Sequence, residues 1–135
     1  MGVIVNMEIK QHAEYEDQIA LTMDDGSEQA IINFMVDSGY GRGFLKKVTN
    51  IDFKQEVGLK PFYIEREDKQ GSFNGFLGLY QDGVKLQSIY SKENPLPDLK
   101  EMKVKGKSVW DNTEQMAVLI EDFRKSKERL DGTIQ

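Results

Sequence analysis

The segment 61–90, PFYIEREDKQGSFNGFLGLYQDGVKLQSIY, carries the clearest fold signal in the sequence. Two polar turn sequences, Asp68–Gly71 and Asp82-Gly83, separate runs that are rich in apolar and aromatic residues. Asp-Gly between apolar runs is typical of a tight β-hairpin. The segment therefore predicts an antiparallel meander with strands at 61–67, 72–80 and 84–90.

Loop length predicts which residues of this meander lie opposite each other. A four-residue loop at Asp68–Gly71 pairs Tyr63 with Phe76, and the Asp82-Gly83 loop pairs Tyr80 with Lys85. Alternation along the strands then separates two faces. The first is apolar and is expected to be core: Phe62, Ile64, Phe73, Leu77, Leu79, Val84 and Leu86. The second mixes rings, amides and charge: Tyr63, Phe76, Tyr80, Lys85 and Ile89, with Glu65, Asn74, Gly78 and Gln87.

A second hairpin is predicted N-terminal to the meander, where Asp25-Gly26 separates two apolar runs. A two-residue loop pairs Leu21 with Ala30 and Ile19 with Ile32. The alternative for the second arm is a short helix over 28–37.

The two segments between this hairpin and the meander predict a loop and a strand. The glycine-rich segment Asp37–Gly43 predicts a loop, because glycine disfavours helices and strands. Apolar residues then predict a strand over Phe44–Phe53. A proline connector at 94–98 follows the meander.

The C-terminal part of the chain predicts one strand and one helix. Glu101–Val109 alternates, with Met102 and Val104 on one side and Lys103, Lys105 and Lys107 on the other. The helix is expected at about 112–131, after a D-x-x-E capping pattern at Asp111 and before Gly132. Its apolar stripe, which must pack against something, is Met116, Leu119, Ile120, Phe123 and Leu130.

These elements predict a β-rich α+β domain that covers residues 1–135 as a single unit. Its strands, all within 1–109, form a mostly antiparallel sheet or a partly open β-barrel of about six to eight strands. One amphipathic C-terminal helix closes it. An oligonucleotide-binding barrel is one arrangement of this kind, by analogy alone.

Composition excludes several kinds of chemistry. The 135 residues include no cysteine and one histidine, which excludes disulfides, thiolate metal sites and clusters of several histidines. We therefore expect no cofactor, no metal site and no catalytic residues, and an enzyme is the less favoured reading. No apolar run approaches the roughly 18 residues of a membrane span. A protein of the cytoplasm without a membrane partner is expected.

Charge is unevenly distributed along the chain. The net charge is −5 overall, but it is −6 over residues 1–45, +3 over 46–107 and −2 over 108–135. The basic middle also holds seven of the 13 aromatic residues. Because screening leaves only nearby charges effective, a local basic patch can attract an anion despite the negative total.

The second face of the meander therefore predicts a non-enzymatic binding module for single-stranded nucleic acid. Tyr63, Phe76 and Tyr80 would stack on bases, and cations would contact phosphates. The candidate cations are Lys85, Arg42, Lys103, Lys105 and Lys107.

Other interpretations of the same residues stay open. The C-terminal helix could cover this face, and the late lysines could protect a sheet edge. The face, or the acidic N-terminal third, could bind a protein or build an oligomer. A small-molecule-binding β-barrel and a carboxylate-based enzyme, with Glu65 beside Asp52 or Glu67, are less favoured.

Overall fold

The computed structural model describes residues 1–11, 16–68, 70–71 and 73–134. The described chain contains eight strands and two α-helices: β1 Val3–Lys10, β2 Gln18–Asp24, β3 Gln29–Met35, α1 Gly39–Lys47, β4 Gly58–Glu65, β5 Phe73–Gln81, β6 Val84–Lys85, β7 Lys100–Val104, β8 Lys107–Asp111 and α2 Thr113–Ile134. A single 3₁₀ turn, Val48–Asn50, follows α1. The predicted β-rich class with a C-terminal helix is confirmed. None of the described helices is long and apolar enough to cross a membrane.

The first sheet has the antiparallel order β1-β2-β3. The strand predicted after Asp25-Gly26 is confirmed, but the two-residue loop is wrong. Leu21 pairs with Ile32, and four residues, 25–28, form the loop. The Asp25 carboxylate accepts hydrogen bonds from the Ser27 and Glu28 backbone N–H groups, which closes this longer loop. Because the register differs by two residues, each side chain stays on its predicted face.

The glycine-rich segment forms a helix, so the loop predicted at Asp37–Gly43 and the strand predicted at Phe44–Phe53 are wrong. Ser38 caps α1, and its hydroxyl accepts from the Gly41 N–H at 3.0 Å. A Cβ on Gly39 would lie 1.9 Å from the backbone oxygen of Gly75. Glycine therefore allows the start of α1 to touch the β5 backbone, while Phe44 is fully buried.

The second sheet has the antiparallel order β4-β5-β6. The pairing of Tyr80 with Lys85 is confirmed, whereas the pairing of Tyr63 with Phe76 is wrong. Phe62 lies opposite Phe76, because the chain between Glu65 and Phe73 makes a longer loop than Asp68–Gly71. The one-residue difference moves every β4 side chain to the other face. The predicted third strand is shorter than expected and covers only Val84–Lys85, and Ile89 pairs with none of the strand residues that the structure describes.

The C-terminal elements are a hairpin and the long helix α2. The β7–β8 hairpin turns at Lys105-Gly106 and pairs Val104 with Lys107. Helix α2 continues past Gly132, so the predicted end at that glycine is wrong. Its main packing partners are α1, β1 and the 3₁₀ turn.

One hydrophobic core joins the first sheet, both helices and the inner side of β5. Its completely enclosed side chains include Ile4, Met7, Leu21, Phe44, Leu79 and Leu119. The described strands form separate sheets rather than a closed barrel, and β3 and β4 are both edge strands. The surface of the second sheet that faces away from α1 contributes nothing to this core.

Candidate functional site

The outer surface of the second sheet carries aromatic and basic side chains, and we call it the aromatic face. The register of β4, β5 and β6 places them on one side of the sheet. The aromatic face consists of Lys60, Phe62, Ile64, Asn74, Phe76, Gly78, Tyr80 and Lys85.

Phe62 and Phe76 form the centre of the aromatic face. Their ring centroids are 5.4 Å apart at an interplanar angle of 20°, which is a stacked arrangement. The Lys85 ammonium lies 5.7 Å from the Phe62 ring centroid, within cation–π range. A Cβ on Gly78 would lie 3.1 Å from the Tyr80 ring, so this glycine makes room for the tyrosine. The arrangement is a flat platform of rings with a cation beside it.

The C-terminal helix does not cover the aromatic face. The main contacts of α2 lie on α1, β1 and the 3₁₀ turn, and four of the five residues of its apolar stripe are buried, with Ile120 remaining 40% exposed. Phe76 keeps 39% of its surface exposed, and Ile64 keeps 55%. The sequence left open the interpretation that the C-terminal helix covers this face, and that interpretation is wrong.

A cleft lined by basic residues lies between α1 and the start of β5, and we call it the basic cleft. Its volume is about 580 Å³. Phe76 lines both this cleft and the aromatic face, so the two are continuous. The other lining residues are Gly39, Arg42, Gly43, Lys46, Lys47, Asn74 and Gly75.

Positive charges are concentrated around the cleft. Lys47 Nζ donates to the Leu77 carbonyl at 2.9 Å on the open edge of β5. Burial lowers the pKa of Lys47, and the neighbouring charges of Lys85 and Lys46 lower it further. None of these three lysines forms an ion pair with a carboxylate in the part of the chain that is described. The group repels itself, and a bound anion would relieve that repulsion.

The structure brings together some of the residues predicted for the site. Phe76, Tyr80 and Lys85 share the aromatic face, and Arg42 lies in the adjoining cleft. Arg42 also holds Asp37, with Nη1 and Oδ1 2.5 Å apart. Tyr63 is misplaced in the prediction. It is 70% exposed on the opposite surface of the sheet, where its ring meets Tyr40 edge to face at 6.2 Å.

The three late lysines are placed apart from the aromatic face. They belong to the β7–β8 hairpin, whose main contacts are internal. They also do not share one side, because Lys107 pairs with Val104 while Lys103 points the other way and Lys105 occupies the turn. The prediction that Lys103, Lys105 and Lys107 line one face is wrong.

Sequence reasoning missed Phe62, Lys46 and Lys47. Phe62 was assigned to the core face by the one-residue error in register. The lysines belonged to a predicted strand, although adjacent basic residues near the end of a helix are a recognisable C-terminal signal. The first error concerns the register between two segments, and the second concerns the secondary structure assigned to one segment.

Two of the three carboxylates considered for catalysis accept hydrogen bonds from local turns. Glu65 accepts from the Gly71 N–H at 3.3 Å, and Asp52 accepts from the Lys54 N–H at 3.0 Å. These two residues and Glu67 are exposed. Within the described ranges no group of three or more acidic or histidine side chains is arranged to hold a metal ion.

Comparison with protein-family models, with curated proteins and with solved structures found no match to this chain.

Proposed function

We propose that this chain binds single-stranded nucleic acid, with bases on the aromatic face and phosphates in the basic cleft. The observation that carries the proposal is the stack of half-buried Phe62 on exposed Phe76, directly beside lysines that form no ion pair in the described part of the chain. No catalytic step is part of this proposal.

Stacking on nucleic-acid bases accounts for the exposed rings of the aromatic face better than a role in the hydrophobic core does. A packed core removes aromatic surface from water, yet Phe76 remains 39% exposed on a sheet surface that α2 leaves open. Every base has a flat π-face, so stacking on such rings tolerates any sequence and contributes about 1–3 kcal/mol per base. Phe76 is the ring at the border of the cleft, so a base on Phe76 would place its phosphates near the lysines.

The lysines suit a phosphate backbone. Burial lowers the pKa of Lys47, the nearby charges of Lys85 and Lys46 lower it further, and the described carboxylates form no ion pair with these three lysines. Lysine is a flexible point charge, which fits the variable path of a single strand. A rigid duplex would require a broader basic surface than one cleft and one sheet edge.

The test is a fluorescence-anisotropy titration with a labelled oligothymidylate of about 15 nucleotides at about 50 mM salt. Phe76→Ala should weaken binding about 5- to 100-fold, since it removes one stacking ring. Tyr63→Ala is the matched control, because this ring is more exposed but lies on the other surface. Equal losses in both variants, or no binding by the unmodified protein, would contradict the proposal.

Salt dependence provides an independent test of the phosphate contacts. Lys46→Gln with Lys85→Gln should reduce the slope of log K against log salt by about 1.4, at about 0.7 for each single-strand phosphate contact. Lys54→Gln with Lys92→Gln removes the same charge from exposed sites outside the cleft and should leave the slope unchanged.

A second candidate function, self-assembly of the chain through its N-terminal third, is favoured by the edge of β3. From Gln29 to Val36 the chain carries no charge, and Ile31 and Met35 are 61% and 45% exposed. Edge strands usually carry a charge or a proline, as β4 does with Lys60 and Pro61. Light scattering should then detect an oligomer that Ile31→Lys dissociates, whereas a monomer at every concentration would remove this candidate.

A further inference from the structure

The β7–β8 hairpin stands away from the body of the protein. Every residue from 98 to 110 is exposed, and the hairpin's main contacts are between its own strands. Lys105 and Gly106 form its two-residue turn with φ of 53° and 77°. An isolated two-stranded hairpin is only marginally stable in water. A binding partner would therefore stabilise this hairpin, and the hairpin would in turn hold the partner.

The free end of the hairpin is positively charged. Lys103, Lys105 and Lys107 form no ion pair with a carboxylate within the described ranges. Of the hairpin's own two acids, Glu101 accepts a hydrogen bond from Ser108 at 2.6 Å and Asp111 accepts one from the Thr113 N–H at 3.1 Å. The turn lysine also adopts a left-handed conformation that favours glycine or asparagine, so local preference does not explain a lysine there.

An exposed aromatic ring accompanies these cations. Trp110 is 60% exposed, and the register places it on the same side of the hairpin as Lys103. Rings with nearby cations are the combination that holds single strands in the site already proposed.

The base of the hairpin is joined to the basic cleft through side chains. Asn112, which follows β8, donates to Asp37 at 3.1 Å, and Asp37 pairs with Arg42 of the cleft. On the other strand, Lys100 pairs with Glu114 of α2 at 2.7 Å. Five-residue strands reach about 17 Å. The hairpin is thus rooted beside the cleft while its tip is free.

We propose that the β7–β8 hairpin is an arm that binds the same nucleic-acid strand after it leaves the basic cleft. This inference rests on the proposed function and extends it to the length of strand that one protein molecule covers. The three lysines, which form no ion pair with a carboxylate in the described residues, complement a polyanion, whereas the equally basic arm of a second copy would repel them. Trp110 stacks on a base, and the lysines contact the adjoining phosphates.

The first experiment uses Trp110, the one tryptophan in the sequence, as its own reporter. Oligothymidylates of about 6 and about 20 nucleotides are titrated, since sites of this class cover about 4–16 nucleotides. The longer strand should quench the tryptophan, while the shorter one binds the aromatic face and leaves the emission unchanged. Anisotropy of labelled strands measures binding of both independently of quenching.

The second experiment removes the charge of the arm by combining Lys103→Gln, Lys105→Gln and Lys107→Gln. The salt slope for the longer strand should fall by about 2, and the affinity for the shorter strand should not change. Lys10→Gln, Lys54→Gln and Lys125→Gln together form the matched control, because these lysines are exposed and lie outside arm and cleft. Since the arm has no core residue, the variant is expected to fold.

The outcomes separate the two proposals. If the longer strand binds, depends on Phe76 and neither quenches Trp110 nor responds to the lysine changes, the arm proposal is wrong and the proposed function stands. If neither strand binds, both are wrong. If light scattering instead detects an oligomer that Trp110→Ala dissociates, the arm serves self-association and the arm proposal is overturned.

Discussion

The central strand of the first sheet and the outer surface of the second sheet place their apolar side chains in opposite environments. In the first sheet, Ile19, Leu21 and Met23 of the central strand are buried under the helices. In the second sheet, only the side of β5 that meets α1 is buried, and Phe62 and Phe76 stack on the other side in contact with water. Burial explains the first set of residues. Burial does not explain why Phe62 and Phe76 lie on the surface, so another role, such as binding, is needed to explain the aromatic face.

Substitution of one phenylalanine by alanine in each region should give the largest difference. Phe44 of α1 is fully enclosed and meets the Phe34 ring edge-on at 5.7 Å. Phe44→Ala should therefore lower the free energy of unfolding by about 3–5 kcal/mol. Phe76→Ala removes an exposed ring and should lower it by about 1 kcal/mol or less. Urea unfolding followed by circular dichroism measures both.

A large loss of stability in Phe76→Ala would contradict this comparison. It would mean that the aromatic face stabilises the second sheet itself, and binding data on that variant would then report unfolding. Ile64→Ala provides the control on β4, because it removes a 55% exposed apolar side chain from the same face.

Two glycine substitutions should have effects of opposite sign and intermediate size. An added Cβ at Gly39 would meet the Gly75 carbonyl oxygen at 1.9 Å, so Gly39→Ala should separate α1 from β5 and cost about 1–3 kcal/mol. Gly132 lies in α2, and apart from its chain neighbours and the helix's own backbone no atom lies within 4 Å of an added Cβ. Gly132→Ala should stabilise the protein by up to about 1 kcal/mol, because alanine favours helix. Thermal unfolding of both variants checks the signs.

Gly39 also indicates what the sequence could not reveal. Three glycines in Gly39–Gly43 predict a loop by propensity, since each costs about 1 kcal/mol in a helix. The contact between Gly39 and Gly75 joins segments 36 positions apart, and no local pattern contains it. Elements with a local signal, such as the helix α2 and the Asp82-Gly83 turn, were predicted correctly, although α2 extends past its predicted end.

The sequence predicted that one face of the second sheet carries aromatic and basic side chains, but it did not predict every residue of that face. Alternation along β5 identified Phe76 and Tyr80 as neighbours on one face, because this depends on one strand alone. The choice between Phe62 and Tyr63 depended on the loop between β4 and β5. There the Arg66–Asp68 ion pair and the bond from Gly71 to Glu65 accompany a loop longer than four residues. A loop of unknown length leaves the register undetermined.

The smallest expected effect is the loss of stability at low pH, and it should differ between the hairpin loops of the two sheets. Hydrogen bonds from the Glu28 and Ser27 backbone lower the pKa of Asp25 to about 2. A hydrogen bond from Arg66 lowers the pKa of Asp68. A lowered pKa means that each carboxylate stabilises the fold above its ordinary value of 3.8 and that this stabilisation is lost as pH falls. For Asp25 the loss should therefore extend from about pH 4 to about pH 2.

Salt should separate the two carboxylates. The Asp68–Arg66 pair is an exposed contact between two charges and should be screened at about 0.5 M salt. Asp25 is held by backbone N–H groups, whose geometry salt does not change. Between pH 5 and pH 2, the difference in Tm between the unmodified protein and Asp25→Ala should shrink similarly at low and high salt. The difference for Asp68→Ala should already be absent at high salt. Equal salt sensitivity of both variants would contradict the comparison, because it would mean that Asp25 stabilises its loop by screened charge interactions, as Asp68 does.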